Sequence, residues 1–267
     1  MAHRHLTTGA ALGCVAVLVA AAAFAQPAGA GDPQSDSTAR ARELIAAAID
    51  LTRGRSSYAE LDMIIHRPDW ERTSSIIAWT RGREDALIRF VAPPRDAGNA
   101  TLKTGTRMWT FAPQVNRVVR LPYSMMSQGW AGSDFSYNDL SRTDQLLHDY
   151  DLTLVASESR DGHQLHLIRA VPHEDAAVVW GMEELRLRDD AVLLEHTFYD
   201  QAQQPVKRLT ASDIGTLGGR TFATRIRMTD LESPDHWTEV SYTRADFDID
   251  LDDSLFTVFT LQSGRGP

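Results

Sequence analysis

From Tyr58 the chain reads with a period of two: Ala59, Leu61, Met63 and Ile65 are apolar, while Glu60, Asp62 and His66 are polar. Successive side chains of a strand face opposite ways, so this pattern predicts a strand with one buried face. The alternation returns in "TSSIIAWT", ending at Thr80, and in "EDALIRFV", ending at Val91, with Arg81 and Gly82 between them as a two-residue hairpin candidate. In the second of these, Ile88 and Phe90 share one face and Leu87 and Arg89 the other. A lone buried charge is costly, so Ile88 and Phe90 are expected inward and Arg89 outward. "ATLK", "TRMWTFA" and "NRVVRLP" read as further short strands. After an interruption the strands resume from "LTLVASE" to "HWTEVSYTRADF", spaced by turn signals such as "RDG", "LGG" and "SPD". No helical pattern lies between them, which argues against a parallel sheet. The expected fold is mainly β: a single incomplete antiparallel barrel of about 10 to 12 strands.

Ahead of the strands, Leu44, Ile45, Ala48 and Leu51 recur at helical spacing, with Ser37 as a candidate N-cap and Gly54 as a C-terminal stop. One N-terminal amphipathic helix is therefore expected, with short helices covering the open side of the barrel. The interruption, "MMSQGWAGSDFSYNDL" from Met125 to Leu140, is apolar yet too rich in glycine and serine for a plain helix or strand. A catalytic loop, a ligand gate and a buried core plug are its three readings. "YNDLSR" within it reads as a short helix capped by Asp134 or Ser136.

Leu61, Met63, Ile88, Phe90, Met108, Trp180, Met182 and Phe198, together with Leu194 and Trp237, fall on alternating positions of these segments. A curved sheet could line its concave side with such large, soft side chains, and their collective excess suggests a cavity.

The first residues change the picture of where this barrel works. Arg4 precedes the uncharged run "GAALGCVAVLVAAAAFA", and small residues at Ala23, Ala25, Ala28 and Ala30 offer cleavage sites. The expected organisation is an export signal over 1–30 cleaved after Ala25 or Ala30, a disordered start over 31–36 and one domain over 37–267. Cys14, the only cysteine, should leave with the signal, which removes disulfides, thiolate metal sites and thiol nucleophiles from the mature chain. Without Arg4 the balance is 26 basic against 36 acidic residues, a net charge of −10. Such a surface does not suit nucleic acid.

Catalytic signatures are sparse. No G-x-S-x-G, P-loop, G-x-G-x-x-G or H-E-x-x-H motif occurs. Ser133 is a conceivable nucleophile, but nothing in the sequence places a histidine beside it. His163 and His166 would face opposite ways on a strand, and "DFDIDLDD" at 246–253 lacks the glycine and glutamate of a calcium loop, so no metal or cofactor is expected.

The run Ala86 to Leu140 resembles the outer membrane lipoprotein-sorting branch of the LolA-like superfamily. The residues that carry the likeness are Phe90, Pro93, Leu102, Met108, Trp109, Pro113, Arg117, Gly132, Ser133, Asp134, Phe135, Asp139 and Leu140, with "LTRG" and "FDIDLDDSLFT" fitting the edges. Asn99, Ala100 and Thr101 depart from the family pattern, as a loop variation. The resemblance implies an incomplete barrel with helices on its open side, a periplasmic location, and non-catalytic binding of a lipid or lipoprotein acyl chain. Met125, Met126, Trp130 and Phe135 would then form an adaptable lid or plug. The implied partners are an acyl chain or lipoprotein, an inner-membrane transporter and an outer-membrane acceptor, with the chain itself a monomer. Two other readings stay open: an accessory docking to an inner-membrane exporter of the resistance-nodulation-division type, and a lipid-ester hydrolase using Ser133.

Overall fold

The computed structural model describes residues 33–141, 144–176 and 178–264. The expected export signal and Cys14 lie outside them. Thirteen strands form one antiparallel sheet: β1 Ser56–Arg67, β2 Trp70–Arg81, β3 Asp85–Ala92, β4 Ala100–Thr104, β5 Arg107–Ala112, β6 Arg117–Arg120, β7 Tyr150–Arg160, β8 His163–Pro172, β9 Met182–Arg188, β10 Leu193–Tyr199, β11 Pro205–Leu217, β12 Arg220–Asp230 and β13 Trp237–Phe247. Their spatial order, β6-β5-β4-β3-β2-β1-β13-β12-β11-β10-β9-β8-β7, makes two meanders joined where β1 pairs with β13. The barrel is open, because β6 and β7 are its two edges. The β2–β3 turn holds three residues, Gly82 to Glu84, where the sequence suggested Arg81 and Gly82, because β2 continues to Arg81 and β3 begins only at Asp85.

This order explains the interruption. β6 and β7 are consecutive in sequence yet lie at opposite edges, so the segment between them, 121–149, has to cross the whole open face. A crossing strap that lies on the concave side must be apolar where it touches the sheet, and irregular because it follows a curved surface. Within it stand the short helices α2 Tyr137–Ser141 and α3 Gln145–His148. Ser136 caps α2: Ser136 Oγ accepts from Asp139 N–H at 3.2 Å while Asp139 Oδ2 accepts from Ser136 N–H at 2.6 Å, a reciprocal cap.

The helix α1 runs from Pro33 to Arg53 and ends at Gly54, whose φ of +60° suits glycine. It starts before Ser37, so residues 33–36 of the stretch expected to be disordered form its opening turn. Proline is tolerated there and Asp36 complements the positive end of the helix. Ser37 does not cap; its Oγ donates to Leu154 O at 3.1 Å and ties α1 to the edge strand β7. Ala41, Leu44, Ile45 and Ile49 bury one stripe of α1 against Tyr150, Leu152, Ile168, Leu185 and Leu187 of the sheet. Each large side chain buried this way contributes about 2 kcal/mol.

The face opposite the strap is covered too. α4 Val258–Ser263 and the turn before it press Leu255, Phe256 and Leu261 onto Trp79, Leu87, Leu102 and Phe111. That covering corrects one expectation: Arg89 does lie on the face opposite Phe90, but it is 7% exposed and not in water. It tolerates burial because its Nη2 donates to the α4 carbonyl of Thr260 at 3.1 Å. Trp237 also departs from expectation. It stacks on His66 with ring centroids 4.7 Å apart, and Arg227 lies 3.9 Å from its ring, on the outer side of β13. No helix among the described residues is long and apolar enough to cross a membrane.

Candidate functional site

The concave face is divided by the strap. Trp130 and Phe135 sit at the divide, the first over β1 to β4 and the second over β10 to β13. On the Trp130 side, Leu61, Met63, Ile88 and Phe90 pack beneath the indole, with the Phe90 and Trp130 rings 5.3 Å apart. Trp130 Nε1 donates to Thr101 Oγ1 at 3.1 Å. Met126, flanked by Met125, fills the next position against Met108 and Leu121. These contacts make the N-terminal half of the concave face a packed core with one polar pocket of about 400 Å³ at its edge, lined by Arg72, Asp96, Thr101, Thr110, Arg117 and Trp130 among others.

The more apolar space lies on the other side. A cavity of about 370 Å³ runs between α1 and the inner face of β7 to β13. α1 supplies Ile45, Ala48 and Ile49, the sheet Leu185, Leu187, Phe198, Leu209 and Met228, and the strap Phe135 and Leu140. Pockets of this size and lining are the usual form of a small-molecule site.

Among the residues singled out from sequence, Trp180, Phe198 and Phe135 line this cavity, and Phe90 and Trp130 line the other pocket. Leu61, Met63, Ile88, Met108, Met125 and Met126 line neither; they hold the strap in place. Met182 is a correction. β9 begins only at Met182, and Glu183 pairs with inward-facing Phe198 while Met182 pairs with Tyr199, so the inward residue is Glu183. Trp180 reaches the cavity from the loop before the strand. Gly181 permits that turn, since a Cβ there would meet Asp200 O at 2.3 Å.

A polar cluster inside the apolar cavity was not anticipated. Glu183, 4% exposed, accepts from the Tyr150 hydroxyl on one oxygen and from His196 Nε2 at 2.6 Å on the other. His196 in turn stacks on Phe198 with centroids 4.0 Å apart. A second pair stands at the strap: Lys207 Nζ lies 2.7 Å from Asp139 Oδ2, 4.8 Å from the Phe198 ring and 5.1 Å from that of Trp180. Burial pushes the phenol of Tyr242, another lining residue, above its usual range. The signal for Glu183 was present in the sequence, because Leu185 and Leu187 share its strand face.

Ser133 is tied into its own loop. Its Oγ lies 2.7 Å from Trp130 O and 3.2 Å from Phe135 O and accepts from Phe135 N–H, and no histidine is among its partners. His163 and His166 do face opposite ways on β8: His166 is buried against Ser157, and His163 meets Asp189 at 2.9 Å on the exposed side. His163, Asp189 and Asp190 form a group whose donor atoms lie close enough to share a cation, on an exposed hairpin end next to Ala191 of the cavity lining.

A family model described only as an uncharacterized protein matches residues 82–263, from the β2–β3 turn to the end of α4. No curated protein matches the sequence. Three solved structures share the fold. A DUF1329 family protein from Desulfovibrio piger has a TM-score of 0.75 at 22% identity, covering 84% of this chain and 99% of its own. A domain described as that of an outer membrane lipoprotein-sorting protein, from Vibrio parahaemolyticus, has 0.74 at 21%, covering 84% and 99%. A LolA superfamily protein from Nitrosomonas europaea has 0.69 at 21%, covering 82% and 98%.

Proposed function

The chain belongs to the uncharacterized-protein family whose model spans residues 82–263 and has a LolA-like fold, and from that premise we propose that it is a non-catalytic periplasmic carrier of an acyl chain, lipid or lipoprotein. The observation that carries the reading is the apolar cavity of about 370 Å³ between α1 and β7 to β13. Burying about ten methylenes there would be worth on the order of 8 kcal/mol, enough for binding yet loose enough for release. α1 and the strap are the elements that would have to move for a chain to enter. Neither belongs to the sheet, so their movement need not break strand pairing, and they would move together, since Arg42 of α1 donates to Leu147 O of the strap and Leu147 packs in the same apolar cluster as Leu44 and Ile45.

In this reading the donor is an inner-membrane transporter and the acceptor lies at the outer membrane. Native mass spectrometry of the purified chain before and after delipidation tests it. A co-purifying acyl mass that disappears on delipidation is expected. A chain that carries no lipid, and that neither takes up a neutral apolar dye nor releases one to added lipid, would favour the accessory role at an exporter instead.

A further inference from the structure

The ionisable side chains lining the apolar cavity are Asp139, Tyr150, Glu183, His196 and Tyr242, and neither lysine nor arginine is among them. The polar groups that approach are already matched: Lys207 lies against Asp139 and His196 Nε2 against Glu183, while Arg53, within electrostatic reach of Tyr242, donates to the backbone carbonyls of Gly82 and Asp85. Glu183 has a hydrogen-bond partner on each oxygen already. Because His196 Nε2 faces a carboxylate it carries the proton, and its Nδ1 makes no other hydrogen bond among the described residues. With the ring neutral, that nitrogen accepts from a hydroxyl or amide N–H; with the ring charged, it donates to a carbonyl.

A free fatty acid brings a carboxylate into this space. It would meet two carboxylates in a medium of low dielectric, with no lysine or arginine among the lining residues to receive it. An amide N–H, or the free hydroxyl beside a glyceryl ester, brings no charge and finds an acceptor at His196 Nδ1 with the ring neutral. Resting on the carrier reading above, we propose that the cavity selects chains with an uncharged, hydrogen-bonding root, such as ester- or amide-linked acyl groups, and discriminates against free fatty-acid carboxylates through Glu183 and Asp139.

Displacement of the neutral dye N-phenyl-1-naphthylamine from the purified chain tests this, with monolauroylglycerol and laurate as competitors at mildly alkaline pH. Their ratio contains a solvent term, because laurate is the more soluble of the two, so the diagnostic quantity is how the ratio changes with substitution. In the unsubstituted protein monolauroylglycerol should displace dye at a concentration at least about tenfold below laurate. Glu183→Gln and, independently, Asp139→Asn should narrow that ratio to about threefold, mainly by strengthening laurate. Asp139 sits on the strap, so Asp139→Asn serves even where the buried Glu183→Gln unfolds; circular dichroism identifies the folded variants. A ratio near one in the unsubstituted protein, or an unchanged ratio in a folded variant, overturns the selectivity and leaves the carrier reading standing. Failure of the dye and both competitors to bind overturns the carrier reading itself.

Discussion

Arg67 at the end of β1 grips Asp134 on the strap with both arms of its guanidinium, Nη1 to Oδ2 and Nη2 to Oδ1 at 3.0 Å each. Thr238 adds its hydroxyl to Asp134 Oδ2 at 2.6 Å. Both charged side chains are largely buried, so this is the anchor of the strap beside the divide between the two cavities. Asp134→Ala would leave the guanidinium with backbone carbonyls but no carboxylate and should cost about 3 kcal/mol. Urea unfolding would show a lower midpoint with an unchanged slope, and limited proteolysis should cut within 121–149 before the sheet. If cleavage begins in the sheet strands, the strap is not the element that this pair holds.

The position of the cavity separates two substitutions that would have looked alike in sequence. Ala48 lines the cavity from α1 and is only partly buried, so Ala48→Trp should fill the space and abolish dye binding with little change in melting temperature. Phe90 is 5% exposed and stacked on Trp130 under the strap, so Phe90→Glu should cost several kcal/mol and unfold the protein without first emptying the cavity. The pair is read by circular dichroism and dye fluorescence together. Native Phe90→Glu that has lost dye binding would move the ligand site to the strap's other side.

Much of this was legible in the residues, and the gaps have physical causes. Alternation placed Met63, Ile65 and Phe90 inside because one face of each strand is apolar. The packed state of that half was not legible, since an inward face looks the same whether it meets a ligand or Trp130. The strap's own path follows from strand order, which long-range pairing sets and local pattern does not. Met182 misleads because the alternation of Trp180 and Met182 spans Gly181, where the chain turns before β9 begins, and so puts a methionine where Glu183 belongs. Buried polar groups such as Glu183, His196 and Tyr150 are read as surface when their partners lie 13 and 33 residues away.

His166 supplies a pH test. It is buried on the inner face of β8, its Nδ1 meets Ser157 Oγ at 2.8 Å, and its Nε2 has no hydrogen-bond partner among the described residues. Burial pushes its pKa below the usual value, with Arg40 acting the same way and Asp189 opposing. The folded state therefore resists a proton that the unfolded state takes up below about pH 6.5, so stability falls as the pH drops through that value. His166→Leu removes this linkage and the unpaired nitrogen with it. Melting temperatures taken from pH 7.5 to 5 should fall less steeply in His166→Leu than in the unsubstituted protein; parallel curves would show that the acid sensitivity arises elsewhere.

The outer face gives the last prediction. Arg89 is buried beneath α4, where its Nη2 donates to Thr260 O at 3.1 Å and lies 3.5 Å from Leu261 O, while its Nε has no hydrogen-bond partner among the described residues. A cation at the C-terminal carbonyls of a helix is favourable, and here it also fastens α4 over Leu87. Arg89→Glu would replace that cation with a buried carboxylate facing the same carbonyls, so α4 should detach and expose Leu87, Leu102 and Phe111. Arg89→Met keeps the apolar stem and loses only the donors, so its cost should be about 1 to 3 kcal/mol against a larger loss for glutamate. Neither side chain touches the cavity, and folded Arg89→Met should still bind dye. Hydrogen exchange at 258–263 reads the outcome: protection lost in Arg89→Glu and largely kept in Arg89→Met is expected, whereas equal protection in both would mean that Leu255, Phe256 and Leu261 alone hold the helix down.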